Sequence, residues 1–177
     1  MYKSAYSMSI PYKPLNYPAR QYYQYGNMRQ QPMSYKSLQE ALTLIMQAVA
    51  GEREDELFYD YLISVAPSQE EKDIIQSIRN DERKHNQMFR TIYQDLTGQA
   101  IMAPTDIMFE KPKSYVDGIR KALFGELAAV ERYRDIRAGL PDRFYRDMAF
   151  EILTDELKHA SKYNYILNLD LSRMMGK

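Results

Sequence analysis

The sequence predicts an all-α protein: an antiparallel four-helix bundle of two repeated helical hairpins joined by a long crossover, with an extended N-terminal arm. Three observations lead there. First, Glu-x-x-His occurs twice, as Glu82-Arg-Lys-His85 and Glu156-Leu-Lys-His159, and these hold the chain's only two histidines. Second, a Gly-Glu pair stands upstream of each copy, and Glu52 to Glu82 and Glu126 to Glu156 are both 30 residues. Gly51 and Gly125, Tyr59 and Tyr133, Pro67 and Pro141, and Asp81 and Asp155 are all 74 apart, like the glutamates and histidines. Such self-similarity marks a duplicated unit. Third, Pro67 and Pro141 lie midway between the two glutamates of their repeats, where a proline separates helices. Each hairpin then turns at its proline, and its two glutamates meet at one height, roughly 20 Å from the turn.

The elements follow in order. Residues 1–35 are rich in Tyr, Gln, Pro, Met and Ser, and Tyr2, Tyr6, Tyr12, Tyr17, Tyr22, Tyr23 and Tyr25 fall at no helical or strand period. This stretch reads as a flexible, extended arm, whose tyrosines suit contact with a partner or a second subunit. The bundle is expected over 36–170, with 171–177 as a C-terminal tail. Helix one runs from about Leu38 to Val65, opened by a Ser37/Glu40 capping box, with Ile45, Ala48, Val49, Glu52, Tyr59 and Ile63 on its inner stripe. Helix two follows a Ser68/Glu71 box, stops before Gly98, and turns Ile75, Ile78, Glu82, His85, Phe89, Ile92 and Leu96 inward. Helix three runs from Ser114 to Gly139 along Ile119, Ala122, Leu123, Glu126, Val130 and Tyr133. Helix four runs from Asp142 to about Leu169 along Ala149, Ile152, Leu153, Glu156, His159, Tyr163, Ile166 and Leu167. The crossover, about 97–113, holds Pro104 and Pro112.

Composition narrows the function. With no cysteine there is no disulfide, thiolate metal site or redox dithiol, which fits a cytoplasmic protein. No apolar run reaches the length of a membrane span, and the N-terminus lacks the apolar stretch of a signal peptide. Formal net charge is zero, so nothing points to nucleic acid. The charge is uneven: Lys3, Lys13, Arg20 and Arg29 are the only charged residues before position 35, so the remainder carries net −4. The eleven methionines are scattered and read as core and tail filler, not a copper site.

The chemistry lies in the inner stripes. A separation of three residues puts Glu and His on one helix face, and here that face is the apolar one. Four unpaired carboxylates buried together would be very costly, so a positive partner is needed at that level. Two Glu-x-x-His helices plus one inward Glu from each of two others make up the ligand set of di-iron and di-manganese bundles. Carboxylate-rich sites with one imidazole per metal suit iron first and manganese next, two ions per chain. Arg53, Arg83, Lys84 and Lys158 flank these residues, are expected to point outward, and receive no role.

With two hairpins and one long crossover, the chain resembles the ferritin-like di-iron carboxylate superfamily. Within it the chain is most similar to the rubrerythrin family, through Ala-Val-Ala-Gly-Glu52 to Tyr59, and the resemblance covers roughly 36–169. It implies Glu52 and Glu126 as single-carboxylate ligands, Glu82 and Glu156 as bridging ligands, and His85 and His159 as terminal nitrogen ligands. Asp81 and Asp155 would each accept a hydrogen bond from the histidine of the other helix. Tyr59 and Tyr133 would stand one heptad away, able to hydrogen-bond a bridging carboxylate. The chain departs from rubrerythrins in lacking a rubredoxin module. It also lacks their extra glutamate three residues after the third-helix ligand, where Ala129 stands. Asp55 and Glu56 are the nearest other carboxylates, and the expected set is the plain six.

The function implied is that of an oxidoreductase of the peroxidase or ferroxidase type, consuming peroxide or dioxygen with oxidation of Fe(II), using an external electron donor, and active in oxidative stress. Apart from the metal site no catalytic residue is assigned. A manganese catalase is the second enzymatic reading, and iron binding and storage or a structural assembly role is the non-enzymatic one. By analogy with ferritin-like bundles a homodimer is expected, with no nucleic acid and no membrane partner.

Overall fold

A computed structural model describes residues 36–102 and 109–175, apart from the side chains of Glu52 and Arg53. The N-terminal arm and the last two residues of the expected tail lie outside the described residues. The described residues form five helices and no strand: α1 (Leu38–Ala50), α2 (Glu52–Val65), α3 (Gln69–Thr97), α4 (Tyr115–Gly139) and α5 (Arg143–Met175). Both α1 and α2 pack on α3 and α4, and α5 also packs on α3 and α4. The backbones of α3 and α4 stay apart, and these helices meet through side chains, Phe89 against Tyr133 and Glu71 with Tyr115.

Side-chain caps start α1, α3, α4 and α5, while α2 begins after Gly51 without one. Ser37 accepts from the Glu40 N–H at 3.2 Å while the Glu40 carboxylate accepts from the Ser37 N–H at 2.8 Å. Ser68, Ser114 and Asp142 accept from the backbone N–H three residues on, at 3.2, 3.1 and 3.1 Å. Each satisfies an N–H that the helix cannot. Gly98 ends α3 in the left-handed region, at φ 71°, where a side chain would be strained. At the close of α4, a Cβ on Gly139 would stand 2.5 Å from the Ser37 carbonyl oxygen, so glycine lets the end of α4 meet the start of α1.

Two boundaries differ from the sequence reading. The single helix expected from Leu38 to Val65 is two, divided at Gly51. Glycine is a poor helix former, and the acidic stretch Glu52, Glu54 and Asp55 gains by standing in the first turn of a new helix, at the positive end of its dipole. The counterpart Gly125 lies inside continuous α4. At the other end α5 runs on through Met175, so residues 171–175 of the expected tail are helical. Arg173 holds them there: its guanidinium donates twice to the buried Glu71 carboxylate of α3, at 2.7 and 2.8 Å, and once to Asp170.

The core falls into two apolar clusters. One gathers Ile45, Val49, Phe89, Ile92, Val130, Tyr133 and Ile152. The other gathers Tyr59, Leu62, Ile75, Ile78, Ile119, Tyr163 and Ile166. Along α3 the sequence passes from Ile78 to Phe89 through Glu82 and His85. Along α5 it passes from Ile152 to Tyr163 through Glu156 and His159. The polar residues therefore occupy a layer between two apolar ones. Apart from Glu52, whose side chain lies outside the described residues, the inner stripes face the packed side as expected, with Leu62 fully buried on α2 and Ile63 only partly so.

Candidate metal centre

Helix periodicity puts the site residues at one level, and the structure brings five of the six expected ligands together there. Glu126, Glu156, His85 and His159 are buried, and Glu82 is half-buried. Glu52 is the first residue of α2, and its side chain lies outside the described residues. Glu82, Glu126, Glu156 and His159 each offer one ligand atom within 4.8 Å of all the others, a group able to hold a metal ion. His85 faces the same carboxylates from the other side: its Nδ1 is 3.2 Å from Glu156 Oε1 and 3.6 Å from Glu82 Oε1. His159 Nδ1 is 3.0 Å from Glu82 Oε1 and 3.8 Å from Glu156 Oε2. The two imidazole rings are inclined by 30°, with centres 5.7 Å apart.

The outer nitrogens are held separately. His85 Nε2 donates to Asp155 Oδ2 at 3.1 Å and His159 Nε2 to Asp81 Oδ2 at 3.0 Å, each across to the other helix. A carboxylate only accepts, so both Nε2 atoms carry hydrogen, and both Nδ1 atoms face the centre, where each offers a lone pair once its proton is displaced. Burial opposes the charged form of each aspartate, but these bonds and Lys158 prevail and hold both carboxyls below the usual range.

Lys158 corrects the sequence reading. It does not point idly outward: its Nζ sits 2.7 Å from Asp155 and 3.1 Å from Asp81, tying together the two aspartates that orient the histidines. The only sequence signal was its spacing three residues after Asp155. The repeat counterpart Lys84 pairs with Glu151, and Arg83 pairs with Glu56 at the smaller of the two cavities beside the centre. Tyr59 is also corrected. Its hydroxyl donates to Glu126 Oε1 at 3.3 Å, not to Glu82 or Glu156. Tyr133 packs edge-on against Phe89 with ring centres 5.0 Å apart.

Without a cation the centre is crowded with like charge, and protons take its place. Burial works against the imidazolium of His85, yet Glu156 and Glu82 overcome it and raise the group to about 10. For His159 the carboxylates of Glu126, Glu156 and Glu82 overcome burial and raise it to about 12. Burial and the neighbouring Glu156 hold the Glu126 carboxyl well above its ordinary value. Burial would raise Glu156 too, but Glu126, His159 and His85 beside it lower it to about 2.

These protons do not complete the bonding. Glu82 Oε1, His85 Nδ1, Glu156 Oε1 and His159 Nδ1 are all buried and none has a hydrogen bond. Buried polar atoms are seldom left so, and two carboxylate oxygens with two Nδ1 atoms 3.0–3.6 Å from them, each able to give up its proton, suit metal ions. Two cavities reach them. The larger, about 320 Å³, passes Phe58, Phe109 and Lys121 to Glu126, Glu156 and Glu82. The smaller, about 40 Å³, reaches Glu82 and His85 from between α2 and α3.

The Ferritin-like domain family matches residues 14–169, most of the chain. The protein belongs to the ferritin-like domain family. It is 27% identical over 136 residues to the uncharacterized protein YhjR of Bacillus subtilis, an alignment covering 77% of this chain and 92% of that one. The crystal structure of a conserved hypothetical protein from Mycobacterium tuberculosis superposes with a TM-score of 0.60 at 15% identity, over 72% of this chain and 97% of the other. At that identity the likeness shows the fold alone. In this ferritin-like chain the Glu/His cluster lies where the helices' polar layer crosses the core, and among the described residues no helix is long and apolar enough to cross a membrane.

Proposed function

We propose that this protein binds two metal ions, iron in preference to manganese, and works as a rubrerythrin-like oxidoreductase on peroxide or dioxygen. In this reading α1 and α2 are halves of one interrupted rod, and the five helices make a four-rod bundle of two hairpins. The observation that carries the proposal is the convergence of four buried, unbonded ligand atoms between two apolar clusters. Glu82 and Glu156 would bridge, since each approaches both histidines. Glu126 and Glu52 would each serve one ion, and His85 and His159 would bind through Nδ1.

When bound, a pair of Fe(II) ions would supply two electrons, which with two protons take one hydrogen peroxide to two waters. The chain's own residues do the rest. Asp81 and Asp155 fix the imidazoles in the binding tautomer. Tyr59 holds Glu126 by its free edge. The apolar clusters keep bulk water from the polar layer, and the larger cavity admits a small oxidant. With no cysteine to bind a built-in rubredoxin iron, the electrons would come from an external donor.

Elemental analysis of protein purified from its own host, beside a Glu82→Ala/Glu156→Ala variant, tests this. About two irons or manganeses per chain, lost in the variant, are expected. The iron-loaded protein should then bleach or colour on mixing with peroxide or dioxygen under stopped flow. Oxygen evolution from a manganese form would make it a catalase instead. Absence of metal from the wild type, with the fold intact, would end the di-metal reading and leave a structural module.

A further inference from the structure

The larger cavity is oversized for a peroxide. A cavity of about 150 Å³ already holds benzene, and this one has about 320 Å³. Small residues open it. Ala122, Gly125 and Ala129 share one face of α4 by helical spacing and line the wall. A Cβ on Gly125 would meet nothing within 4 Å, so this glycine serves no close approach of helices and leaves room instead. Phe58 and Phe109 also line the cavity, set edge to face with ring centres 6.4 Å apart. Glu126 and Glu156 lie at its inner end. Glu156 is only 1% exposed, and its Oε1 has no hydrogen bond.

The walls select an occupant. Aromatic rings favour a further ring packed edge-on or offset against them. The exposed lining residues are Glu54, Asp55 and Glu110 against Lys121 and Arg132. Lys121 stands 3.8 Å from Asp117, and the Arg132 guanidinium lies over the Tyr133 ring at 6.0 Å. Carboxylates therefore prevail, which disfavours an anionic reductant and suits a neutral one with hydroxyls to donate. We propose that the external electron donor is a small uncharged aromatic diol of the hydroquinone class, bound in this cavity beside Glu126 and Glu156. This rests on the di-metal reading above. The two O–H bonds of the diol break, and two electrons and two protons leave it as it becomes a quinone. The O–O bond of peroxide breaks and takes up both, giving two waters, so diol and peroxide are consumed one to one. One molecule thus supplies everything the reduction needs, and no cysteine-bound iron has to.

Hydroquinone binding to the metal-free full-length protein, followed by NMR of the ligand, tests this beside cobalt(II) uptake by equilibrium dialysis. Wild type should bind hydroquinone saturably. Gly125→Leu, which fills the cavity, should bind it about tenfold more weakly or worse, the scale of overpacking. That variant should take up two cobalt ions as wild type does and keep its helical circular dichroism, since leucine is the better helix former. Phe58→Leu keeps an apolar wall but removes a ring, and should weaken binding about two- to tenfold, the worth of an aromatic pair. It carries the test if Gly125→Leu does not fold. Iron-loaded wild type, without oxygen, should turn over peroxide with hydroquinone as sole reductant and release one benzoquinone per peroxide. No binding to wild type, or equal binding to both variants, would overturn the proposal. So would benzoate binding the cavity as tightly, or peroxide turnover that leaves hydroquinone unoxidised. A wild type that takes up neither cobalt, iron nor manganese would instead bring down the di-metal reading, and the donor role with it, even where hydroquinone binds.

Discussion

His159 Nδ1 lies 3.0 Å from Glu82 Oε1 on the facing helix, closer than its 3.8 Å approach to Glu156 three residues away on its own. His85 repeats the relation, 3.2 Å from Glu156 and 3.6 Å from Glu82. Each Glu-x-x-His is thus completed by the glutamate of the other, which makes Glu82 and Glu156 shared between two positions. Glu82→Ala should therefore weaken both ions, whereas Glu126→Ala should weaken chiefly the one at His159. Metal per chain after dialysis, measured for each variant, distinguishes these outcomes.

The aspartates behind the histidines should matter nearly as much. Asp81→Ala removes the acceptor that fixes the His159 tautomer, and Asp155→Ala does the same for His85. Each should cost about 10- to 100-fold in affinity for its own ion, measured by competition with a chelator. Lys158→Ala leaves both Asp–His bonds in place, and as a half-exposed lysine it should cost less than about 1 kcal/mol of stability. Equal losses for the lysine and aspartate variants would contradict this ranking.

The pH dependence of the metal-free protein has a definite sign. His85 and His159 titrate near 10 and 12 when folded and near 6.5 when unfolded. Their stabilisation is complete below 6.5 and is lost as pH rises through 10 and 12. Glu126, also raised, acts in the same direction from its unfolded value near 4.5 upward. Glu156, lowered to about 2, contributes above 4.5 and loses that contribution as pH falls toward 2. Denaturant midpoints of the metal-free protein should fall between pH 7 and 10. Metal binding needs neutral imidazoles, so it should strengthen over the early part of that range and release protons, seen calorimetrically in buffers of different ionisation enthalpy.

Stability away from the centre depends on Glu71. It is fully buried and accepts from Arg173, from Ser68 Oγ at 2.7 Å and from Tyr115 at 3.5 Å. Glu71→Gln should cost about 2 kcal/mol, the scale of hydrogen bonds to a charged group, and lower Tm by about 4–8 °C. Burial opposes the Glu71 charge, but the Arg173 and Ser68 bonds win and hold it below the usual range. Its contribution is present above the unfolded value near 4.5 and is lost as pH falls through the folded one. Thermal melts of variant and wild type at pH 7 and 4 measure both effects.

What the sequence determined by itself was whatever depends on spacing along one helix. The 3.6-residue period places Glu82 with His85 and Glu156 with His159 on apolar faces, and the two 30-residue intervals about Pro67 and Pro141 bring them to one level. Those are local rules of helix geometry, and they need no partner. Only the tertiary structure decided relations between helices. The side chain that caps Asp81 is Lys158 and not its repeat twin Lys84. The hydroxyl of Tyr59 reaches Glu126 and neither Glu82 nor Glu156. The glycine at 51 breaks its helix while the one at 125 does not and opens instead on the larger cavity. Each of these turns on a few ångströms of separation and on the charge the neighbouring helix presents, and the order of residues along a single rod does not encode either.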